Sequence, residues 1–157
     1  MHMSALELTL FADYFQFYLQ DESAQESLAD SWTDEATSRL LAVASGSIGV
    51  GTARNMDVPV SVEVLEVEPA LDTERWDHIT QCSIDIPSGK LVIAGCTDYF
   101  PEAKRIRVSP GTYVARVSYG ALTTLSEDRL DGADHYRVQL WPGRSAMPIV
   151  IKQRVAQ

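Results

Sequence analysis

Carboxylates dominate the start of this 157-residue sequence, and their clustering is its clearest chemical feature. The first 38 residues hold eight acids and no lysine or arginine. The acids are Glu7, Asp13, Asp21, Glu22, Glu26, Asp30, Asp34 and Glu35. The whole chain has 22 acids, 13 bases and a net charge of −9, so nearly all of the negative excess lies in this first quarter. Such a region repels nucleic acid and anionic membranes and attracts a basic protein.

Catalytic chemistry has little support in the sequence. A catalytic nucleophile needs a base and an orienting group, and no G-x-S-x-G motif is present. His78 and His135 are the candidate bases. His78 falls on the apolar face of a predicted strand, which is typical of a core histidine, whereas His135 follows an acidic loop and is expected to be solvated. We therefore predict that the protein is not an enzyme.

Metal and cofactor sites are not indicated either. The sequence contains no His-x-His, His-E-x-x-H or paired C-x-x-C motif for zinc. Gly46, Gly49 and Gly51 lack the lysine and the following helix of a phosphate-binding loop, and they favour a strand that packs closely. One loop offers oxygen ligands for Ca²⁺, at Glu127, Asp128, Asp131 and Asp134. Their spacing does not match an EF-hand, and a solvated acidic loop explains them better than a calcium site does. No cofactor is predicted, and a β-sandwich that binds carbohydrate or calcium is the alternative function.

Alternation of apolar and polar residues predicts a mainly β protein. The clearest strand is Val58 to Glu68, in which Val58, Val60, Val62 and Val64 share one face. Turn signals recur every 8–15 residues along the chain. This pattern predicts an antiparallel β-sandwich of eight or nine strands with one short helix, and a closed β-barrel is the alternative. We expect a single domain over residues 1–157, with a possible cloning remnant at residues 1–3.

The sequence "DSWTDEATSRLL" predicts the short helix, from about Thr33 to Val43. Thr33 or Ser31 is a suitable N-cap, and Asp34 and Glu35 then lie in the first turn, where the helix dipole favours acids. Ser45-Gly46 is expected to end the helix. The chain has no apolar run long enough for a membrane helix and no secretion signal, so we expect a cytoplasmic protein without membrane insertion.

Two turns are predicted to close hairpins. "IPSGK" separates the strands that carry Cys82 and Cys96, and "SPG", with type II turn chemistry, separates two later strands. A three-residue loop in the first turn would place Cys82 opposite Cys96, whereas a two-residue loop would place Cys82 opposite Gly95. The sequence does not choose between these registers, and both cysteines are also compatible with unpaired residues in a reducing compartment.

The stretch from about Leu8 to Asn55 resembles competence protein J, a family of bacterial nuclease inhibitors. The resemblance depends on three short elements in a shared order. They are Tyr14, Gln16 and Phe17; Trp32, Thr33, Asp34, Glu35 and Ala36; and Ala53, Arg54 and Asn55. The resemblance implies a small soluble protein that binds and inhibits a nuclease involved in DNA entry. Related proteins of this kind can act as immunity proteins against nuclease toxins.

The charge distribution and the resemblance both indicate a basic protein partner, namely a nuclease. The candidate partner-binding residues are Asp21, Glu22, Glu26, Asp30, Trp32, Asp34, Glu35, Tyr14 and Tyr18. The carboxylates would attract a basic DNA-binding cleft, and the aromatic side chains would supply buried contacts. Trp32 is equally suited to pack the helix onto a sheet. Neither nucleic acid nor a metal is predicted as a partner, and the oligomeric state is left open.

Overall fold

A computed structural model describes residues 4–25 and 27–155 of the chain. Glu26 and residues 1–3, the possible cloning remnant, lie outside the described residues, as do residues 156–157. The regular elements are β1 (Ser4–Phe11), β2 (Gln16–Asp21), α1 (Asp34–Arg39), β3 (Leu41–Ala44), β4 (Ser47–Gly51), β5 (Asp57–Val64), β6 (His78–Ile86), β7 (Lys90–Gly95), β8 (Lys104–Arg107), β9 (Gly111–Gly120), β10 (His135–Pro142) and β11 (Ile149–Lys152).

The strands form two sheets that pack as a sandwich. One sheet has six strands in the order β1-β5-β10-β9-β6-β11, and the other has five in the order β3-β4-β2-β7-β8. All neighbouring strands are antiparallel except β5 and β10, which are parallel. The predicted sandwich with one short helix is confirmed, and residues 4–25 and 27–155 contain eleven strands rather than eight or nine. In the described residues the sheets do not close into the alternative barrel.

The core lies between the two sheets, because each strand directs alternate side chains inward. On β5, Val58, Val60 and Val62 are buried, as their alternation predicts. On β2 of the facing sheet, Phe17 and Leu19 have no exposed surface. The Phe17 ring meets the Tyr136 ring of β10 edge to face, with centroids 5.9 Å apart. Contacts of this kind join the five-stranded sheet to the six-stranded one.

The two predicted hairpins are instead crossings between the sheets. The Ser88-Gly89 turn joins β6 of the six-stranded sheet to β7 of the five-stranded sheet. The Ser109–Gly111 turn joins β8 of the five-stranded sheet to β9 of the six-stranded sheet. Both predictions were wrong because turn residues show where a chain reverses but do not show which sheet the next strand joins.

The cysteines are therefore not cross-strand neighbours in a ladder, since β6 and β7 do not pair. Both are free thiols, with Cys82 buried and Cys96 exposed. Burial raises the pKa of the Cys82 thiol to about 12, so this thiol stays protonated and behaves as a small apolar side chain.

Helix α1 begins where the sequence predicts and ends earlier. The Thr33 hydroxyl accepts a hydrogen bond from the Ala36 amide at 3.1 Å, which confirms Thr33 as the N-cap. The helix stops at Leu40, which adopts a left-handed conformation with φ of 60°. Leu41–Ala44 then forms β3 and pairs with β4, so Ser45-Gly46 is a hairpin turn and not a helix end. The predicted end at Val43 was wrong because an apolar pair such as Leu41-Ala42 fits a buried strand as well as a helix.

His78 is a core histidine, as its place on an apolar face predicts. Its ring is fully buried and packs edge to face against Tyr119. Nε2 lies 2.8 Å from the Arg39 carbonyl oxygen, and Nδ1 accepts the Arg154 amide at 3.1 Å. These partners require a neutral ring with its proton on Nε2. Burial lowers the pKa of His78, and the positive charge of Arg154 lowers it further, although the Arg39 carbonyl opposes the change.

Acidification is expected to destabilise the protein through this one histidine. In the unfolded chain His78 gains a proton near pH 6.5, while the folded chain resists it until lower pH. The stability that depends on neutral His78 is therefore complete above about pH 6.5 and is lost as the pH falls through the lower pKa of the folded state. Urea unfolding of the native protein and of a His78→Gln variant between pH 8 and pH 5 measures this effect. The free energy of unfolding of the native protein should fall more steeply with decreasing pH than that of the variant. Equal pH dependence in the two proteins would contradict the neutral, buried state of His78.

Candidate partner-binding face

Asp21 serves the fold and is not available to a partner. Its side chain is 1% exposed at the end of β2. One carboxylate oxygen accepts the amide and hydroxyl of Ser88, at 3.1 and 2.7 Å, and the other accepts the amide and hydroxyl of Ser23. Burial favours the protonated acid, but these hydrogen bonds outweigh it and hold the pKa of Asp21 below its ordinary value. Asp21 thus ties β2 to the β6–β7 turn.

Glu22 is largely neutralised by neighbouring bases. Its carboxylate lies 3.6 Å from Arg105 and 3.9 Å from Lys90. The remaining sequence candidate in this loop, Glu26, lies outside the described residues. Asp21 and Glu22, the two acids at the start of this loop, therefore add little free negative charge to the surface.

We call the segment Leu28–Arg39 the acidic layer. Its Leu28 and Trp32 side chains cover Gly49 on the outer face of the five-stranded sheet, and α1 lies against the edge strand β3. Trp32 holds the acidic layer in place, because its indole Nε1 donates to the Gln16 side-chain oxygen at 3.0 Å and its ring lies on Gly49. A Cβ at Gly49 would lie only 2.9 Å from the Trp32 ring, so this contact requires glycine. The predicted close packing at the glycines of β4 is therefore present, and Trp32 has the packing role that the sequence left open.

Three carboxylates of the acidic layer face solvent. They belong to Asp30, in a short 3₁₀ turn, and to Asp34 and Glu35, in the first turn of α1. None of them takes part in a salt bridge within residues 4–25 and 27–155. A shallow groove separates Asp34 and Glu35 from Pro148 and Val150, at the end of the chain. These exposed acids are thus accessible to a cationic partner.

Tyr14 and Tyr18, which the sequence offers together as partner-binding residues, do not lie on one strand. Tyr18 lies on the outer face of β2, between Gly49 of β4 and Ala94 of β7, and is half-buried. Burial raises the pKa of Tyr18, and nearby Cys96 and Asp98 raise it further, while Arg105 opposes them. Tyr14 precedes β2 in a tight turn and is 70% exposed.

That turn, Phe11–Phe15, has an unusual backbone, and we call it the aromatic turn. Tyr14 and Phe15 both adopt left-handed conformations, with φ of 61° and 59°, which bulky residues rarely do. The Asp13 carboxylate accepts the Tyr14 amide at 3.0 Å, and the Asn55 side-chain oxygen accepts the Phe15 amide at 3.3 Å. The alternation of Phe15 with Phe17 and Leu19 predicts a strand here, and Asp13 between two apolar runs is compatible with a bulge or bend. The structure has the bend, and Phe15 belongs to this turn and not to a strand.

The Ala53–Asn55 element fixes the turn to the body of the sandwich. Arg54 is 8% exposed, and its guanidinium Nε lies 2.5 Å from the fully buried carboxylate of Asp134. The Tyr136 hydroxyl donates to the other oxygen of Asp134 at 2.6 Å and accepts the Ala53 amide at 2.8 Å. Burial, and then the hydrogen bond to Asp134, raise the pKa of Tyr136, so the hydroxyl remains a donor.

The loop acids proposed as calcium ligands do not converge. Asp134 is occupied by Arg54 and Tyr136, and Asp128 accepts the Ser126 hydroxyl and the Leu130 amide. Across the described ranges 4–25 and 27–155, no three His, Cys, Asp or Glu side chains are grouped so as to hold a metal ion. The same residues include no helix that is long and apolar enough to cross a membrane.

Comparison with known proteins identifies the fold. No protein-family description and no curated protein sequence matches the chain. Among solved structures, ComJ from Bacillus subtilis, an inhibitor of the DNA-degrading activity of NucA, superposes with a TM-score of 0.68 and 17% identity, over 91% of this chain and 100% of that one. The protein described as crocagin biosynthetic gene J superposes with a TM-score of 0.63 and 22% identity, over 92% and 100%. The resemblance to competence protein J is thus confirmed at the level of the fold.

Proposed function

We propose that this protein is a non-catalytic inhibitor that binds a nuclease through its acidic layer. The observation that carries the proposal is the unpaired, exposed set of Asp30, Asp34 and Glu35 on a fold shared with a nuclease inhibitor. Trp32 belongs to this face as the side chain that fixes it to the sheet. Asp21 accepts hydrogen bonds within the fold and Glu22 is paired with Arg105 and Lys90, so both are left outside the proposed contact.

The physical mechanism is occupation of a basic cleft. A nuclease binds DNA through cationic side chains, and carboxylates on a rigid face can occupy the places of phosphates. Complementary charge raises the association rate and depends strongly on ionic strength, because exposed charges are screened within about 8 Å at physiological salt. The Thr33 cap fixes the backbone of the first turn of α1, so the positions from which Asp34 and Glu35 project are set before binding.

The biological setting follows from the same proposal. The inhibitor would act in the cytoplasm of a bacterium, either to restrain a nuclease of DNA uptake or to neutralise a nuclease toxin. Both settings require the same acidic face and differ only in the nuclease that it meets.

Titration of the purified protein into a DNA-degradation assay tests the proposal. The assay uses a nuclease whose gene neighbours that of this protein and is run at 50 and 500 mM salt. We expect stoichiometric inhibition at low salt that weakens at high salt. Absence of inhibition at any ratio would contradict the proposed function. Inhibition that is unaffected by salt would show that the acidic layer is not the binding face.

A further inference from the structure

The aromatic turn exposes large apolar side chains that the fold itself does not use. Phe11 is 39% exposed, Phe15 is 51% exposed and Tyr14 is 70% exposed. The turn adjoins the acidic layer, because Phe15 precedes Gln16, which binds the Trp32 indole. An exposed aromatic cluster beside a proposed contact face is typical of the centre of an interface.

The conformation of this turn indicates a role other than folding. Left-handed backbone at two successive aromatic residues costs free energy that asparagine or glycine in the same places would largely avoid. The turn nevertheless has its own supports, since the Asn55 side chain and the Thr52 amide bind the backbone of Phe15 on either side. Strain that surrounding structure maintains in this way is characteristic of binding sites.

Carboxylates border the aromatic turn. Asp13 lies within the turn, and Asp57 is the direct cross-strand partner of Phe11. The Asp98 side chain binds the amide of Gly95, and a Cβ at Gly95 would meet the Phe11 carbonyl oxygen, so Asp98 borders the turn as well. In the described part of the chain, none of these three acids forms a salt bridge.

We propose that the aromatic turn is the anchor that docks on the basic surface of the nuclease, with Tyr14 and Phe15 as its principal contacts. The inference rests on the proposed function and adds to it the side chains that supply the desolvated contact. Aromatic faces attract lysine and arginine side chains, and the surrounding carboxylates neutralise the same cations. A basic protein surface therefore fits this cluster, whereas nucleic acid and anionic membranes are repelled by its acids.

Kinetic measurements separate this anchor from the acidic layer. Buried anchor contacts mainly set the dissociation rate, whereas exposed charges mainly set the association rate and its salt dependence. The test variant is Tyr14→Asn with Phe15→Asn, because asparagine adopts left-handed backbone more readily than aromatic residues do. Surface plasmon resonance with immobilised nuclease gives both rates, and thermal unfolding gives the melting temperature.

The double variant is expected to melt at the same temperature as the native protein or higher. Its Kd should rise by roughly 30-fold or more, mostly through faster dissociation, as for other aromatic hot spots. The matched control is Val67→Asn, which changes a side chain that is 60% exposed in the segment over the other sheet. It should leave the Kd unchanged. If the double variant melts lower, Tyr14→Asn alone provides the comparison.

The outcomes distinguish failure of the anchor from failure of the proposed function. Native protein that binds the nuclease, together with a folded Asn variant that binds equally well, would overturn the anchor and leave the proposed function standing. Native protein that does not bind would overturn both. A dimer in analytical ultracentrifugation that the variant abolishes would assign the turn to a second copy of this chain and would also overturn the anchor.

Discussion

Replacing Arg54 with alanine is expected to lower the free energy of unfolding by about 3–5 kcal/mol. Arg54 and Asp134 form the buried ion pair behind the aromatic turn, with 2.5 Å between Nε and Oδ1. Without the guanidinium, the fully buried Asp134 carboxylate keeps only the Tyr136 hydroxyl as its side-chain partner. An unpaired buried charge is far more costly than an absent ion pair. Chemical unfolding of the native and variant proteins at pH 7 measures the difference.

The control for this prediction is Arg75→Ala. Arg75 lies 3.7 Å from Asp72, but its side chain is 75% exposed, so removing it should change stability by less than about 0.5 kcal/mol. Replacing both Arg54 and Asp134 with leucine should recover part of the loss, because no charge then remains buried. An Arg54→Ala variant as stable as Arg75→Ala would show that the ion pair does not support the fold.

Charge reversal at Asp34 and Glu35 is expected to slow association with the nuclease at least about tenfold at low salt. Both acids are exposed, and neither has an ion-pair partner in the described residues. Lysines in the first turn of α1 oppose the helix dipole at a cost of about 0.3–1 kcal/mol each, which the fold should tolerate. The change turns attraction of a basic cleft into repulsion. Because salt screens both, the difference in association rate between variant and native protein should become smaller as salt is added. Stopped-flow association rates at several salt concentrations provide the measurement.

A second double reversal, Glu66→Lys with Glu74→Lys, is the matched control. It changes the net charge by the same amount, but both acids belong to the segment that covers the six-stranded sheet on the opposite side. This control should slow association much less than the reversal in the acidic layer does. Equal slowing by both variants would show that only total charge matters and that the acidic layer is not a specific face.

Local chemistry allowed several elements to be predicted from the sequence. The alternation in β5 identified its buried valines, and Thr33 was recognised as the cap of α1. The path of the chain between sheets was not predictable, because the turns at Ser88 and Ser109 look the same whether they close a hairpin or cross the core. The end of α1 at Leu40 was also missed, since it is decided by the pairing of β3 with β4.

The sequence showed where the acids are concentrated but not which of them are exposed. The count of acids correctly identified the region that bears Asp34 and Glu35 on its surface, but composition does not distinguish these exposed carboxylates from the buried one of Asp21. Phe15 alternates with Phe17 in the sequence, so it looked like part of a strand. Only the three-dimensional contacts of Asn55 with the turn reveal its left-handed backbone and its exposure.

Amide hydrogen exchange of this protein, alone and bound to the nuclease, locates the contact face. If the acidic layer and the aromatic turn form the interface, peptides that cover residues 28–39 and 11–16 should exchange more slowly in the complex. Peptides that cover residues 66–75, over the opposite sheet, should be unchanged. Protection confined to residues 66–75 or to β11, with residues 28–39 unaffected, would contradict the proposed face.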